Sequence, residues 1–447
     1  MAIKEGLRIA LNEIRQTSID NNTLYAKYVD EIYPTTDISA IAQPILANED
    51  LVNEFLNVLA KRIVYTQVEI RVFNNPLQQL EGEMIPLGAI GQEIFINSAK
   101  GRKFDVNDFA GLLAKYESDV KVQYLDVNSD LQYCVTITKD KLRNAFVSWE
   151  NLNEFVDGIT QSLYNGCYID RFNMTKALVS QAYVDNNVQI EVVTNPSSSE
   201  SYAKAFIQKA REIYLNMQLP STRYNAWAKV GGYGRAIKTW CNPEDIVFIF
   251  RNDLASYIDV NVLANSFNIT KSELLGRIIY TDSFDVYDND ETLLIDGSNI
   301  YGMMCDKKWF RVKTQDFAMN EFFNANNRCW NLYLNDTRMY KYSLFANAVV
   351  FASELPDIKA TKVEFVNDTA FEIEEGEKVT RKLKIEPVNF TSQTTFTSGD
   401  STKVSVRKIS DTEVEITGVA KDATAVTITA SNNSQTDTIS VTCVEGD

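Results

Sequence analysis

The stretch KLRNAFVSWENLNEFVDGITQSLYN, residues 141–165, carries the strongest helical pattern in the chain. Apolar residues recur along it at steps of three and four, which places them on one side of an α-helix. Burial of each large side chain of such a stripe contributes roughly 1.5–3 kcal/mol. The pattern predicts a helix over 142–165 at the centre of the core, with these core residues: Leu142, Phe146, Trp149, Leu152, Val156 and Ile159.

Helical and strand-like patterns surround this stretch in mixed order. Helical patterns are present at Asn48–Ile63, Asp170–Asp185 and Ser199–Met217. Strand-like runs of apolar and aromatic residues are present at 120–127, 131–137, 245–251, 309–312 and 328–351. This mixture predicts an α+β domain over roughly the first 358 residues.

A second segment, NNPLQQLEGEMIPLGAIGQEIFIN at 74–97, resembles the far end of a long hairpin. The strand before it alternates, with Val68, Ile70 and Val72 on one face, and Ile94–Ile96 is the expected returning strand. An isolated two-stranded hairpin is only marginally stable in water. The segment therefore needs a surface to lie on, and its apolar residues are expected to contact it.

The composition changes near Pro356. All 21 tyrosines and all 5 tryptophans precede that residue, and the remainder is rich in Thr and Ser. Short alternating runs fill the tail at regular spacing, among them KVEFV, KVSVRKI, EVEITGV, AVTITAS and DTISVTC. This pattern is typical of a small β-sandwich, here expected over 359–447.

Composition also limits the possible chemistry. The chain has no histidine, which removes Ser-His-Asp and Cys-His catalysis and most transition-metal sites. Its net charge of −16 disfavours a nucleic-acid binder, because contacts to phosphate require Lys and Arg. The six cysteines are scattered and form no C-x-x-C pair, as expected for reduced thiols in a cytoplasm. No signal peptide or membrane span is recognisable, so no membrane partner is expected.

Short motifs that resemble binding sites are better explained as loops. The glycine-rich segment Lys229–Lys238 matches neither the Walker nor the dinucleotide pattern. The DVNSD run at Asp126–Asp130 lacks the glycine and glutamate that close a calcium loop, so a hairpin turn is expected there. The acidic run Asp288–Glu291 indicates an exposed turn. We therefore predict no catalytic residue, no metal site and no cofactor.

The order of these segments resembles one known family. NNPL and IPLG at 74–88, AFVSWENLNEFV at 145–156, DVNVLANSFNITKSELLG at 259–276 and FANAVVFAS at 345–353 are similar to stretches of the major capsid proteins of phi-29-type short-tailed phages. EITGVAKDATAVTITA at 415–430 resembles a bacterial immunoglobulin-like domain of group 2. The resemblance is spread in order over most of the chain.

The resemblance implies a Hong Kong 97-type capsid fold followed by an immunoglobulin-like sandwich. It assigns 1–64 to an N-terminal arm, 65–100 to an extended loop, 101–191 and 293–358 to a peripheral domain with the spine helix 142–165, and 192–292 to an axial domain. In this fold the extended loop lies across a neighbouring subunit. The expected subunit-interface residues are then Val68, Ile70, Val72, Pro76, Leu77, Met84, Ile85, Pro86 and Leu87.

The implied function is structural. The chain is expected to be the major head protein of a tailed bacteriophage, forming hexamers and pentamers of an icosahedral or prolate shell around double-stranded DNA. The expected partners are further copies of the chain, scaffolding and portal proteins, and genomic DNA without sequence-specific contact. The expected location is the virion capsid, assembled in the host bacterial cytoplasm.

Two other functions are compatible with an immunoglobulin-like tail. One is a bacterial surface adhesin, against which the missing signal peptide and the unpaired cysteines argue. The other is a carbohydrate-active protein with an accessory β-domain, for which no convincing catalytic pair of carboxylates is found.

Overall fold

The computed structural model describes residues 5–63, 73–86, 88, 91–99, 101–102, 114–230, 236–255, 277–288 and 291–445. The chain forms two compact units, each assembled from separate segments. The first comprises Met1–Glu93, Tyr124–Thr175 and Phe310–Tyr342. The second comprises Ile94–Gln123, Lys176–Trp309 and Ser343–Asp447.

Helices from the N-terminal segment surround the core of the first unit. They are α1 (Glu5–Asp20), α2 (Tyr25–Tyr28), α3 (Ile38–Ala47) and α4 (Glu49–Ile63). Their apolar faces are fully buried at Leu11, Ile14, Ile45 and Phe55. They pack in one cluster with residues from the predicted central helix, so the N-terminal segment belongs to this core.

The structure has two helices where one helix was predicted over 142–165, and the second of them extends well beyond residue 165. A short helix α5 (Lys139–Ala145) ends near Phe146, and a new helix α6 (Trp149–Val184) begins after Ser148. The hydroxyl of Ser148 accepts a hydrogen bond from the Asn151 amide at 3.1 Å, which caps the new helix. A capping serine within an apolar stripe thus divides the predicted helix in two.

Helix α6 continues for 36 residues and includes the second helix predicted at Asp170–Asp185. Gly166 lies in its middle and costs about 1 kcal/mol relative to alanine. The residues around it, Leu163 and Cys167, are buried at 1% and 0% exposure, and their packing offsets that cost. All six predicted core residues are buried: Leu142, Phe146, Trp149, Leu152, Val156 and Ile159.

A three-stranded antiparallel sheet completes the first unit. Its strand order is β10 (Phe310–Asn324), β11 (Cys329–Tyr342) and β3 (Ser129–Thr138). The predicted strand over 328–351 is interrupted, because Ser343 turns the chain and its hydroxyl accepts hydrogen bonds from the Phe345 and Ala346 amides. Asp126–Asn128 is not a hairpin turn, since the strands on either side of it pair in different sheets.

A five-stranded mixed sheet forms the core of the second unit. Its order is β4 (Gln189–Val192), β12 (Ala348–Ala352), β9 (Ile300–Asp306), β5 (Ile246–Arg251) and β6 (Ile278–Thr281). The central strands β12 and β9 are buried along their whole length. Helix α7 (Glu200–Met217) packs its apolar face on this sheet. Gly302 is required here, because a Cβ at that position would lie 2.5 Å from the Phe250 ring.

Smaller elements of the second unit connect these parts. They are the short helices α8 (Trp227–Val230) and α9 (Asn252–Ala255), and the strand pair β7 (Val286–Tyr287) and β8 (Leu293–Ile295). Residues 289 and 290, the centre of the acidic run at 288–291, lie outside the described residues. So does the whole of 256–276, which contains the family-like stretch at 259–276. Part of the glycine-rich segment, 231–235, lies outside them as well.

The C-terminal part of the second unit is a two-sheet sandwich, as predicted. One sheet has the order β13 (Lys362–Phe365), β15 (Lys378–Glu386), β18 (Glu413–Gly418) and β17 (Val404–Ser410). The other has the order β14 (Phe371–Glu374), β20 (Gln435–Val444), β19 (Asp422–Asn432) and β16 (Thr395–Ser398). Their inward residues form a separate apolar core. Gly418 is required because a Cβ there would lie 2.3 Å from the Glu374 carbonyl oxygen.

No helix in the described part of the chain is long and apolar enough to cross a membrane.

Candidate assembly surface

A two-stranded ribbon presents an apolar face to solvent. It consists of β1 (Gly91–Ile96) paired with β2 (Val120–Leu125), and exposure alternates along both strands. The Asn97 amide donates to the Asp119 carbonyl at 2.9 Å, which places Ile96 opposite Val120 and Ile94 opposite Val122. Four outward side chains, called the ribbon face below, are 36–63% exposed: Ile94, Ile96, Val120 and Val122.

The inward side of the ribbon is fixed to the second unit. The rings of Phe95 and Phe345 stack with their centroids 5.6 Å apart. Gln123 accepts a hydrogen bond from the Leu344 amide at 2.8 Å. The Lys121 ammonium lies 5.9 Å from the centre of the Trp227 ring. These contacts determine which face of the ribbon turns outward, so the ribbon face has a fixed orientation.

An apolar outward face is unusual for such a ribbon. Antiparallel strands with one solvated side normally alternate between apolar residues inside and polar residues outside. Exposed apolar patches on a protein surface mark contacts with other molecules. The ribbon face therefore has the chemistry of a protein–protein contact.

A second apolar patch lies at the C-terminal end of α7. Leu215 is in the last turn of the helix and Leu219 follows it, at 51% and 62% exposure. The segment after the helix runs beside Thr239–Cys241, joined by hydrogen bonds from Cys241 to Met217 and between Ser221 and Thr239. Trp240, at 54% exposure, lies on this neighbouring segment. Leu215, Leu219 and Trp240 are called the Trp240 patch below.

The predicted interface residues have different positions in the structure. Val68, Ile70, Val72 and Leu87 lie outside the described residues. Pro76, Met84 and Pro86 are exposed, Met84 at 67%, whereas Ile85 is half-buried. Leu77 is only 2% exposed within its own chain. Leu77 is therefore wrong as an interface residue, because its side chain is already covered.

The segment Glu81–Pro86 is not an unsupported hairpin tip. The Gly82 amide donates to the Val312 carbonyl at 2.8 Å, and the Ile85 amide donates to the Thr314 carbonyl at 2.9 Å. The segment thus runs along strand β10 of its own chain. In the described part of the chain, Ile94–Ile96 pairs with β2. The described part of this segment therefore has a surface to lie on within its own chain.

A buried charge cluster fixes the start of this segment. Arg338 donates to Glu81 at 2.7 Å and to Asp336 at 3.0 Å, and the side chains of Asp336 and Arg338 are nearly inaccessible to solvent. Burial alone would raise the pKa of Asp336, but hydrogen bonds and charge from Arg171 and Arg338 hold that pKa below its usual value. Glu81 is therefore held in place by a charge-assisted hydrogen bond.

The cysteines and acidic residues in the described part of the chain are not arranged as a reactive or metal-binding site. All six cysteines are unpaired, and burial raises the pKa of the Cys167 and Cys241 thiols to about 12. Thiols with such pKa values are poor nucleophiles near neutral pH. Within the described ranges, no group of three or more His, Cys, Asp or Glu side chains is placed to hold a metal ion.

Sequence reasoning missed the ribbon face although its pattern is visible. Val120–Val127 was predicted as a strand, and Ile94–Ile96 as another. Their pairing was not predicted, because 23 residues separate Ile96 from Val120 and short-range hairpin signals do not extend that far. The available signal for the ribbon face was the alternation of Ile94 with Ile96 and of Val120 with Val122 in two strand-like runs.

Comparison with known proteins agrees with this structural description. Residues 11–352 match the model of the Phi29-like phage major capsid protein family. The chain is 28% identical over 369 residues to the major capsid protein of Bacillus phage B103, covering 82% of this chain and 77% of that protein. It is 24% identical over 307 residues to the major capsid protein of Streptococcus phage Cp-1, covering 66% of this chain and 81% of that protein.

Solved structures show the same fold at low sequence identity. A chain from the capsid structure of Staphylococcus phage Andhra aligns with a TM-score of 0.52 and 14% identity, covering 64% of this chain and 86% of that chain. A chain from the structure of the head fiber and inner core protein gp22 of bacteriophage P68 aligns with a TM-score of 0.50 and 15% identity, covering 65% and 87%.

The family match covers most of the chain, and the described units carry the Hong Kong 97-type capsid fold with a C-terminal immunoglobulin-like sandwich. These findings favour the structural function over the adhesin and carbohydrate-active alternatives. The chain belongs to the Phi29-like phage major capsid protein family and is a major capsid protein of a tailed phage.

Proposed function

We propose that copies of this chain form the hexamers and pentamers of a closed phage head, with the ribbon face of one copy packed against the Trp240 patch of the next. The observation that supports this most is the apolar ribbon face at fixed orientation. Membership of a capsid family supplies the partner, since such a protein associates with further copies of itself.

The two patches have the properties that a ring requires. A ring of identical subunits uses a head-to-tail contact, in which two different surfaces meet at every junction. The ribbon face consists of exposed β-branched residues, and the Trp240 patch contains one exposed Trp and two exposed Leu side chains. Trp residues are enriched among the side chains that contribute most to interface affinity. Both surfaces are apolar, so packing one against the other would remove both from water.

The shell would be assembled together with other phage components in the host cell. Scaffolding and portal proteins would join the copies during assembly in the host bacterial cytoplasm. Genomic DNA would be enclosed without sequence-specific contact, consistent with the net charge of −16. The protein would act by assembly alone and not as an enzyme. The assigned arm, extended-loop, peripheral and axial segments would be the parts of this shell subunit.

Cysteine cross-linking tests the proposed contact. Cys134 is exposed and is first replaced by Ser to remove background. One preparation then carries Ile96→Cys and another carries Leu219→Cys. We expect disulfide-linked dimers when the two are co-assembled and oxidised, and few when either is assembled alone.

The controls distinguish the possible outcomes. Ile409→Cys, placed in the sandwich and 46% exposed, serves as a cysteine outside both patches. Dimers from Ile96→Cys alone would mean that ribbon faces contact each other, and the head-to-tail contact would be wrong. Assembled particles without any Ile96–Leu219 link would also contradict it. An Ile96→Asp variant should stay folded but not form closed particles, whereas Ile409→Asp should assemble normally.

A further inference from the structure

The junction between the immunoglobulin-like sandwich and the end of helix α6 is a closed set of hydrogen bonds. The Asn389 side-chain amide donates to the Asp185 carbonyl, and to the Asn187 side-chain oxygen at 3.2 Å. In return, the Asn186 side-chain amide donates to the Asn389 carbonyl at 2.9 Å. Residues 185–187 and Asn389, called the asparagine clasp below, thus bind each other in both directions.

The backbone at the end of α6 explains why an asparagine is present there. The helix ends at Val184, and Asn186 has φ +50°, in the left-handed region that often terminates helices. Asparagine tolerates this conformation better than most residues. Asn389 then supplies a donor to the Asp185 carbonyl, one of the groups that a helix end leaves without an internal partner.

Lys229 fixes the orientation of Asn186. Its ammonium group donates to the Asn186 side-chain oxygen at 2.7 Å and to the Val188 carbonyl at 2.6 Å. Because that oxygen is engaged by Lys229, the amide nitrogen of Asn186 points to Asn389. Asn186 itself is 7% exposed, so water competes little for these groups.

The connecting segment 353–360 is also attached on both sides. On the side of the five-stranded sheet, the Ser353 amide donates to the Asn299 carbonyl at 2.9 Å and the Tyr183 hydroxyl donates to the Glu354 carbonyl at 3.0 Å. On the side of the sandwich, the Thr391 hydroxyl accepts from the Ile358 amide at 2.7 Å and donates to the Pro356 carbonyl at 2.5 Å. A flexible tether would not be bonded at both ends.

We propose that the immunoglobulin-like sandwich is a rigid part of the second unit, and that Asn389 is the positioning residue that fixes its orientation on the end of α6. Domains joined by a short linker normally move relative to each other unless their interface holds them. Here the asparagine clasp and the bonded linker provide that restraint. The sandwich therefore presents the same surfaces in every copy, independently of how copies associate.

Limited trypsin digestion of the full chain tests this proposal. Lys359 lies in the connecting segment with an exposed side chain, so cleavage after it releases the sandwich. Proteolysis requires local opening of the segment. We expect slow release from the wild type and at least tenfold faster release from Asn389→Ala. Asn367→Ala, an exposed asparagine elsewhere in the sandwich, should behave as the wild type does.

A second measurement shows whether the variant is still folded. Hydrogen exchange on the same samples should show lost protection at Ile358 and Ala360, with unchanged protection at Ile428 and Val441 in the sandwich core. If Asn389→Ala loses core protection, Asn389→Asp replaces it, since this change keeps the shape of the side chain and puts a carboxylate in place of the amide donor. Equal release rates for the wild type and a folded Asn389 variant would overturn the proposal.

Discussion

Arg171 and Asp336 form a bidentate ion pair in the interior of the first unit. The guanidinium donates from Nε to Oδ2 at 2.9 Å and from Nη2 to Oδ1 at 2.7 Å, and the two residues are 6% and 2% exposed. The pair joins α6 to strand β11, and through Arg338 it reaches Glu81. The central helix, the sheet and the Glu81–Pro86 segment are thus connected by one buried group of charges.

Replacing Asp336 by Asn should strongly destabilise the subunit. The change leaves the buried Arg171 guanidinium without its carboxylate and leaves Arg338 with Glu81 alone. Loss of one partner of a buried ion pair costs about 3–5 kcal/mol. Urea unfolding of purified subunits measures this cost. Asp130→Asn is the control, since Asp130 lies exposed on β3 and accepts a hydrogen bond from the Thr337 hydroxyl at 2.8 Å. A loss no larger than that of the control would show that the charge cluster contributes little to stability.

Removing the Trp149 side chain should cost about 3–5 kcal/mol of unfolding free energy, because it leaves a cavity in the core. Trp149 is 7% exposed and donates to the Thr36 carbonyl at 3.0 Å. Trp240→Ala is a matched control at 54% exposure and should change stability by about 0.5 kcal/mol or less. Thermal and urea unfolding of both variants test this. If the two variants melt alike, the core position of Trp149 is wrong.

Met84→Asp should separate folding from assembly. At 67% exposure the new carboxylate stays hydrated in the free subunit, so circular dichroism should be unchanged. If the segment contacts a neighbouring copy, assembly would bury that charge at a cost of several kcal/mol, and sedimentation should show no closed particles. Ile85→Asp is a less specific test, because Ile85 is half-buried on its own chain. Normal particles from Met84→Asp would place the segment in solvent.

Stability should depend on pH through Lys229. Burial lowers the pKa of Lys229 to about 8, and the acceptors facing its ammonium, on Asn186 and Val188, are neutral. A lysine in the unfolded chain titrates near pH 10.4. Between these values the unfolded chain binds more protons, so stability rises with pH over this window and the burial penalty is fully present below pH 8.

The comparison with Lys229→Met isolates this effect from other titrations. Between pH 8 and pH 10.4, the free energy of unfolding of the wild type should rise by on the order of 3 kcal/mol relative to that of the variant. Urea unfolding at intervals of half a pH unit provides the measurement. A difference between the two proteins that does not change with pH would show that Lys229 titrates as an exposed lysine does.

The isolated sandwich should fold without the rest of the chain. Its core residues form a cluster of their own, with Val404, Ile416, Ile428 and Val441 all fully buried. Residues 359–447 expressed alone should therefore show a cooperative unfolding transition, observed by circular dichroism. The complementary truncation after Ser353 should also fold, with α6 frayed at its end because the Asn389 donor is missing. If the 359–447 fragment is aggregated or unfolded, the domain boundary placed at residue 359 is wrong.

Local patterns in the sequence predicted much of this architecture. The period of the stripe from Leu142 to Ile159 places these residues in the core, and the alternating runs after Pro356 correspond to the strands of the sandwich. Both follow from side-chain periodicity, which a single segment already contains. Helix ends were less accurate, because the Ser148 cap lies inside an otherwise continuous apolar pattern.

Only the tertiary structure decided which strands pair and which apolar residues remain uncovered. Ile94 and Leu77 are equally apolar in the sequence, yet one is 56% exposed and the other 2%. That difference arises because Phe95 is fixed on Phe345, 250 residues further along the chain, and turns Ile94 outward. Periodicity assigns residues to the faces of an element, but burial depends on contacts distant in sequence, which no local pattern encodes.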